Sequence, residues 1–153
     1  MNNVEINKQA LLSQHFTLGE LCKTSVKTAD GNIPSHVHIE NLKRLTKWLE
    51  RLRQRCNNTP IIINSGYRSL QVNKAVGGAP NSNHLTGCAV DIRCLGIEQA
   101  LRYAVILLDI ADEGREVFDE LLLERSPRGT YWLHFAVRPP SQENRRKVAF
   151  LRA

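Results

Sequence analysis

Apolar residues recur at spacings of three and four in two long stretches of the chain. Ser35 is a typical helix N-cap, and the stretch from it to about Cys56 places its leucines in one stripe: Leu42, Leu45, Leu49 and Leu52. A second stripe of this kind covers residues 97–112. This periodicity predicts two amphipathic helices whose apolar faces pack against a core.

Short apolar runs separated by turn-forming residues surround these helices. They predict strands at residues 60–64, 88–93, 117–124 and 131–137, with an edge strand at 148–151. Pro127 and Gly129 predict a hairpin turn between the third and fourth of these strands. Short helices are predicted at residues 18–23, where Thr17 and Glu20 fit a capping box, and at 70–76. The expected fold is a single α+β domain. Its mostly antiparallel sheet has helices on one face and a cleft on the other.

The length and composition of the chain are those of an ordinary globular domain. Its 153 residues are 42% hydrophobic and 24% charged, which is enough for one substantial core. We expect one domain over residues 1–153, with its core at about 16–138 and a basic C-terminal tail at 139–153. The four cysteines include no CxxC pair and are expected to be reduced and buried.

The charge and the hydropathy of the chain restrict its partners and its location. No apolar run reaches the roughly 20 residues that cross a bilayer, and the N-terminus lacks the pattern of a secretory signal. We therefore expect synthesis in the cytoplasm without a signal peptide, and no membrane span. The net charge of +6 favours anionic partners such as nucleic acid or an acidic cell wall. Few aromatic residues accompany the basic ones, so nucleic-acid binding is not expected.

Two histidines and one aspartate form the candidate metal site: His84, Asp91 and His134. Two imidazoles and a carboxylate can hold Zn²⁺ and leave a fourth position open, as in catalytic zinc sites. A lone carboxylate in a buried strand, as predicted for Asp91, is costly unless it is paired or bound to a metal. Taken singly, His84 is also typical of a loop histidine and His134 of a core histidine, so the prediction depends on the combination.

Glu124 is the candidate general base. A β-hairpin centred on Gly129 places Glu124 directly opposite His134, on the same face of the sheet. The same register pairs Glu120 with Arg138, which makes a solvent-exposed ion pair the alternative interpretation of Glu120. A slip of one residue would turn Glu124 away from the metal. Glu120 and Asp119 are the alternative candidates for the base.

Four further residues are candidates for contact with substrate. Arg68 follows the first strand, where its guanidinium can bind a substrate carboxylate or a developing oxyanion. The alternative role of Arg68 is structural, tying loops together. Tyr67, Ser82 and Trp132 are the other candidates for lining the cleft.

Four segments of the chain are distinctive: SGYRS, VNKAVGGAPNSNHLTGCAVDI, FDELLLE and YWLHFAV. Together they resemble the D-Ala-D-Ala carboxypeptidase-like zinc peptidases. This is peptidase family M15, which shares the fold of the Hedgehog signalling domain. The family's SxHxxGxAxD pattern is matched by Ser82, His84, Gly87, Ala89 and Asp91, and its WxH motif by Trp132 and His134. The resemblance spans about residues 16–137.

The resemblance implies one zinc ion held by His84, Asp91 and His134, with Arg68 at the substrate or the transition state. Many relatives have the catalytic glutamate two or three residues before the last histidine, where this chain has Trp132 and Tyr131. A phage endolysin-like branch resembles the chain more closely. It has a glutamate at the end of the preceding strand, as Glu124 is here.

The expected function is hydrolysis of an amide bond in a peptidoglycan stem peptide or cross-link by a zinc peptidase. Either a D,D-carboxypeptidase or an endopeptidase of the endolysin type fits the sequence. The alternative is a zinc-stabilised module that binds cell wall or protein without catalysis. The expected partners are one zinc ion and the peptidoglycan peptide, and the chain is expected to be a monomer.

Overall fold

The computed structural model describes residues 6–152 and forms one five-stranded sheet with helices packed against it. The α-helices are α1 (Leu18–Leu21), α2 (His36–Arg55), α3 (Leu70–Ala75) and α4 (Ile97–Gly114), and a 3₁₀-helix covers Asn83–Thr86. The strands are β1 (Ile63–Ser65), β2 (Ala89–Arg93), β3 (Glu120–Arg125), β4 (Tyr131–Ala136) and β5 (Lys147–Arg152). Every predicted element is present, with its ends moved by up to about three residues.

The predicted helix starts are confirmed in detail. The capping box of Thr17 and Glu20 begins α1. Ser35 caps α2 by accepting a hydrogen bond from the His38 backbone N–H, and the His38 Nδ1 accepts one from the Ser35 backbone N–H at 3.1 Å. A histidine thus takes the position that glutamate or glutamine usually has in a capping box.

The strand order is β1-β2-β4-β3-β5. All neighbouring pairs are antiparallel except β3 and β5, which are parallel. This confirms the predicted α+β class with a mostly antiparallel sheet. The predicted edge strand is observed as β5, so part of the segment expected to be a basic tail belongs to the sheet. The extent of the domain over residues 1–153 stays a prediction, since residues 1–5 and 153 lie outside the described part.

Alternation along the strands separates a core face from a polar face. Val90, Leu133 and Phe135 are fully buried and lie in one hydrophobic cluster with residues of α2 and α4. The intervening residues Asp91 and His134 belong to the opposite face, since successive strand side chains alternate. The long helices α2 and α4 therefore leave the polar face of the sheet to a separate site, as predicted.

The predicted register of the β3–β4 hairpin is wrong by two residues. Glu124 pairs with Trp132, Leu122 with His134, and Glu120 with Ala136. The hairpin is centred on Arg128 rather than on Gly129, because the Ser126 N–H donates to the Thr130 carbonyl and Arg125 pairs with Tyr131. A shift of two residues keeps every side chain on its predicted face.

Other predictions concern the cysteines and the membrane. All four cysteines are free, and three of them are buried. Among residues 6–152, no helix has the length and apolarity that crossing a bilayer requires.

Candidate metal centre

Three different elements bring His84, Asp91 and His134 together on the polar face. His84 lies in the 3₁₀-helix, Asp91 in β2 and His134 in β4, directly opposite Asp91. All three are buried, and one ligand atom from each lies within 4.8 Å of the others. Asp91 and His134 are 43 residues apart in the sequence. Apart from the two predicted strands, no local pattern indicated that these side chains are in contact.

The spacing of the donor atoms fits a tetrahedral metal ion. Asp91 Oδ1 lies 3.3 Å from His84 Nε2 and 3.1 Å from His134 Nδ1. Zinc–ligand bonds of 2.0–2.1 Å at tetrahedral angles separate the donors by about 3.3 Å. The two imidazoles and the carboxylate can therefore hold one ion with little movement, and they leave a fourth position for water or substrate.

The remaining ring nitrogen of each histidine has an acceptor that fixes the tautomer. His84 Nδ1 lies 2.7 Å from the Gly66 carbonyl, so it donates there and leaves Nε2 free for a metal. His134 Nε2 lies 3.2 Å from Glu120 Oε1, which leaves Nδ1 for the metal. Carbonyl and carboxylate partners of this kind orient histidine ligands in metalloproteins.

Two glycines let the chain bring His84 to this position. Gly87 ends the 3₁₀-helix with φ of +74°, and a Cβ there would lie 2.6 Å from the His38 carbonyl in α2. Gly66, whose carbonyl holds His84, approaches the Leu21 carbonyl so closely that a Cβ would lie 2.2 Å from it. A side chain at either position would displace the backbone that orients the histidine.

The charges of the centre stabilise Asp91 as a carboxylate. Burial raises the pKa of Asp91, but His84 and His134 outweigh it and hold the pKa below its ordinary value. Burial lowers the pKa of His134, while its contacts with Asp91 and Glu120 raise it to about 9. A metal ion that takes Nδ1 must therefore displace a proton from that nitrogen.

Arg68 contacts the second oxygen of Asp91. Its guanidinium donates to Asp91 Oδ2 at 3.2 Å and to Ser65 Oγ at 3.1 Å. This leaves Oδ1 as the oxygen shared by the two histidines. Arg68 thus lies beside Asp91 and has structural contacts of the kind that the alternative interpretation describes. Its contact with substrate stays a prediction.

Glu120 and Glu124 lie on either side of His134 along β3. Each is diagonal to His134 in the sheet, where Cβ atoms are about 7–8 Å apart. Glu120 Oε1 forms a hydrogen bond with His134 Nε2, and it also accepts one from Asn83 Nδ2 at 2.7 Å. Glu124 accepts one hydrogen bond, from Trp132 Nε1 at 2.6 Å. Burial and the negative charge of Asp91 raise the pKa of Glu124, whereas contact with His134 lowers that of Glu120.

The other candidate residues have distinct positions. Ser82 caps the 3₁₀-helix by accepting from the His84 backbone N–H at 3.1 Å, and Trp132 holds Glu124. Tyr67 is buried, stacks on His38 with ring centroids 4.9 Å apart, and lines a pocket of about 400 Å³. None of the three metal-centre residues lines that pocket. Direct contact of Tyr67, Ser82 and Trp132 with substrate stays a prediction.

The sequence interpretation missed the contacts behind Glu120. Asp119, an alternative candidate for the base, is fully buried and forms a two-bond ion pair with Arg145. Arg138 contacts Asp119 at 3.2 Å, so the predicted pair of Glu120 and Arg138 is wrong. Asn83 joins the two carboxylates. The position of the polar Asn83 next to a metal-site histidine could have indicated a role for it. Its partners Asp119, Glu120 and Arg138 lie in distant segments, so the sequence did not identify them.

The sequence profile of the family described as Peptidase M15 matches residues 14–116. The chain belongs to this family. The match includes Arg68, His84 and Asp91 but ends before Glu120 and His134, so the structure supplies the third member of the metal group. The predicted family is thereby confirmed.

A curated relative agrees with this assignment. The zinc D-Ala-D-Ala carboxypeptidase of Streptomyces albus G is 34% identical over 79 residues, which are 51% of this chain and 31% of that protein. The matched part thus covers about a third of the relative's length. The name of the relative includes zinc, and the donor group of this chain can hold one metal ion.

Proposed function

We propose that the protein hydrolyses an amide bond next to D-alanine in peptidoglycan stem peptides or cross-links. The observation that carries this proposal is the convergence of two tautomer-fixed histidines and one aspartate in a member of the peptidase M15 family. The substrate class comes from the relative, which is named a D-Ala-D-Ala carboxypeptidase. His84, Asp91 and His134 would hold one zinc ion.

A bound zinc ion supplies Lewis acidity, which makes water more acidic and polarises the substrate carbonyl. Glu124 serves as the general base and accepts the proton of the attacking water. Its raised pKa brings it closer to the range in which a carboxyl group both accepts and returns a proton. It then donates that proton to the leaving amine. Trp132 holds the carboxylate in place through its indole N–H.

Glu120 has a different role in this proposal. Its carboxylate is already used by the His134 ring and the Asn83 amide, and a general base needs an oxygen directed at the attacking water. Glu120 therefore orients a ligand and Glu124 moves the proton.

Arg68 is proposed to bind the anionic part of the substrate. Its side chain is 17% exposed, and two of its N–H groups are used by Asp91 and Ser65. The remaining N–H groups can donate to a terminal carboxylate or to the oxyanion that forms during attack. The contacts with Asp91 and Ser65 fix the guanidinium relative to Asp91 and hence relative to the metal position.

Release of D-alanine from a stem peptide that ends in D-Ala-D-Ala tests the activity. We expect release with zinc, none after treatment with a chelator, and recovery when zinc is restored. A matched peptide ending in L-Ala-L-Ala is the stereochemical control. Zinc binding without cleavage of either peptide or of peptidoglycan would contradict the catalytic proposal and favour the non-catalytic module.

Mass spectrometry of purified peptidoglycan digested with and without chelator identifies the bond. Loss of one terminal alanine indicates a carboxypeptidase, and separated cross-linked peptides indicate an endopeptidase of the endolysin type. The chain's net charge of +6 is expected to favour the anionic wall, an attraction that added salt weakens. The monomeric state and the cytoplasmic synthesis stay predictions.

A further inference from the structure

The side chain of Asn83 joins two carboxylates that come from adjacent residues of β3 and the turn before it. Its Nδ2 donates to Asp119 Oδ2 at 2.8 Å and to Glu120 Oε1 at 2.7 Å. Its Oδ1 accepts a hydrogen bond from Arg138 Nε at 3.1 Å. Asn83 is only 8% exposed, so each polar atom of its amide is used inside the protein and the side chain has one allowed orientation.

Glu120 is held through both of its oxygens. Oε1 receives the amide of Asn83 and the Nε2 of His134, and Oε2 lies 3.6 Å from the guanidinium of Arg145. Of these contacts, the one from Asn83 is the shortest. Because the same oxygen receives Asn83 and His134, a change in the amide moves the acceptor that orients the imidazole.

Asp119 gives Asn83 a rigid support. It is fully buried, and Arg145 binds both of its oxygens at 2.8 and 2.9 Å. Burial raises the pKa of Asp119, but hydrogen bonds from Arg145 and Asn83 and the charge of Arg138 bring it down to about 2. The carboxylate is therefore charged and fixed throughout the neutral range.

The backbone of Asn83 also belongs to the site. Asn83 is the first residue of the 3₁₀-helix, directly before His84, and its carbonyl accepts the Cys88 backbone N–H at 2.9 Å. One residue thus adjoins one histidine along the chain and reaches the other through Glu120. Fixing both imidazoles relative to each other reduces the rearrangement that metal binding requires.

We propose that Asn83 is a positioning residue of the metal centre, which sets the orientation of His134 through Glu120. Only the identity of the ion rests on the function proposed above, because the contacts themselves do not depend on peptide hydrolysis.

Zinc affinity of purified full-length protein, measured by competition with a chromogenic chelator, tests this inference. We expect Asn83→Ala to raise the dissociation constant for zinc about 10-fold, the lower end of the range for partners of metal ligands. Glu120→Gln should raise it by a similar factor. If Asn83 acts through Glu120, the double variant should also lose about 10-fold rather than about 100-fold.

Asn41→Ala is the matched control. Asn41 is a buried asparagine, 6% exposed, whose Nδ2 donates to the Thr86 carbonyl at the end of the same 3₁₀-helix. It does not contact the metal group or Glu120 in the described residues. This variant should lower thermal stability as Asn83→Ala does, yet leave the zinc dissociation constant within about 2-fold.

A second variant and a second readout distinguish a specific effect on the metal centre from loss of folding. Asn83→Ser keeps one hydroxyl donor and should show a smaller loss of affinity than the alanine variant. Cobalt in place of zinc should give altered visible bands in Asn83→Ala and unaltered bands in Asn41→Ala.

The proposal fails if Asn83→Ala binds zinc as tightly as the parent, or if its effect multiplies fully with that of Glu120→Gln. These outcomes are separate from the proposed function, since the parent's peptidase activity is measured independently. A parent that binds zinc but cleaves no peptide would leave the positioning role intact and remove only the catalytic assignment.

Discussion

Replacement of Glu124 by glutamine separates proton transfer from metal binding. Glutamine has nearly the same volume, and its carbonyl oxygen can still accept the indole N–H of Trp132, which now contacts the carboxylate at 2.6 Å. No metal-centre donor is removed, because Glu124 lies outside the group of His84, Asp91 and His134. We therefore expect a folded protein that binds zinc with the affinity of the parent.

The magnitude follows from the role of the base. General acid–base groups contribute about 10²–10⁴ in rate, so the turnover number of Glu124→Gln should fall by that factor. This corresponds to about 3–5 kcal/mol of transition-state stabilisation. The assay is release of D-alanine under saturating zinc, with the zinc content of each sample measured in parallel.

Glu120→Gln is the control that separates an effect on zinc affinity from an effect on turnover. Glu120 holds the Nε2 of His134. Glutamine keeps a carbonyl acceptor at this position but removes the negative charge, so zinc binding should weaken about 10-fold. With enough zinc to saturate the site, most of its turnover should remain. The reasoning is refuted if the two variants exchange behaviours, with Glu120→Gln inactive at full zinc occupancy and Glu124→Gln active within about 3-fold of the parent.

Three further changes test other parts of the centre. Trp132→Phe removes the hydrogen bond that lowers the pKa of Glu124, so the acidic limb of the kcat/KM profile should move to higher pH and kcat should fall. For Asp119, a folded pKa of about 2 against an ordinary 3.8 corresponds to about 2 kcal/mol of stability that is present above about pH 4 and lost as the pH falls towards 2. Asp119→Asn should lose at least this amount at neutral pH in urea denaturation and flatten the stability profile between about pH 4 and 2; an unchanged profile contradicts the ion-pair argument. Gly66→Ala should weaken zinc binding by displacing the carbonyl that holds His84, and an unchanged affinity in chelator competition would show that this carbonyl is dispensable.

Much of the fold follows from local patterns in the sequence. The leucine stripe of α2 and the capping residues Thr17 and Ser35 set where helices begin and which faces they bury. Alternation along β2 and β4 places Asp91 and His134 on the face opposite the core. These features depend on neighbours within a few residues, and short-range sterics and hydrogen bonding decide them.

The pairing of β3 with β4 shows where local reasoning ends. The sequence indicates a hairpin between the two strands, but the two-residue difference in register comes from the turn being centred on Arg128 instead of Gly129. The predicted face of Glu124 survived because two is the side-chain period of a strand. The predicted pairing of Glu124 with His134 was wrong, because Glu124 pairs with Trp132.

The sequence by itself determined the class of the fold, the peptidase family and the residue types that can hold a zinc ion. Only the tertiary structure decided which glutamate faces which group, since Glu120 and Glu124 have the same spacing from His134 in the sheet. The difference between them comes from Asn83 and Arg145, which are distant in sequence and reach Glu120. Chain folding creates those contacts between segments, and no local pattern of residues encodes them.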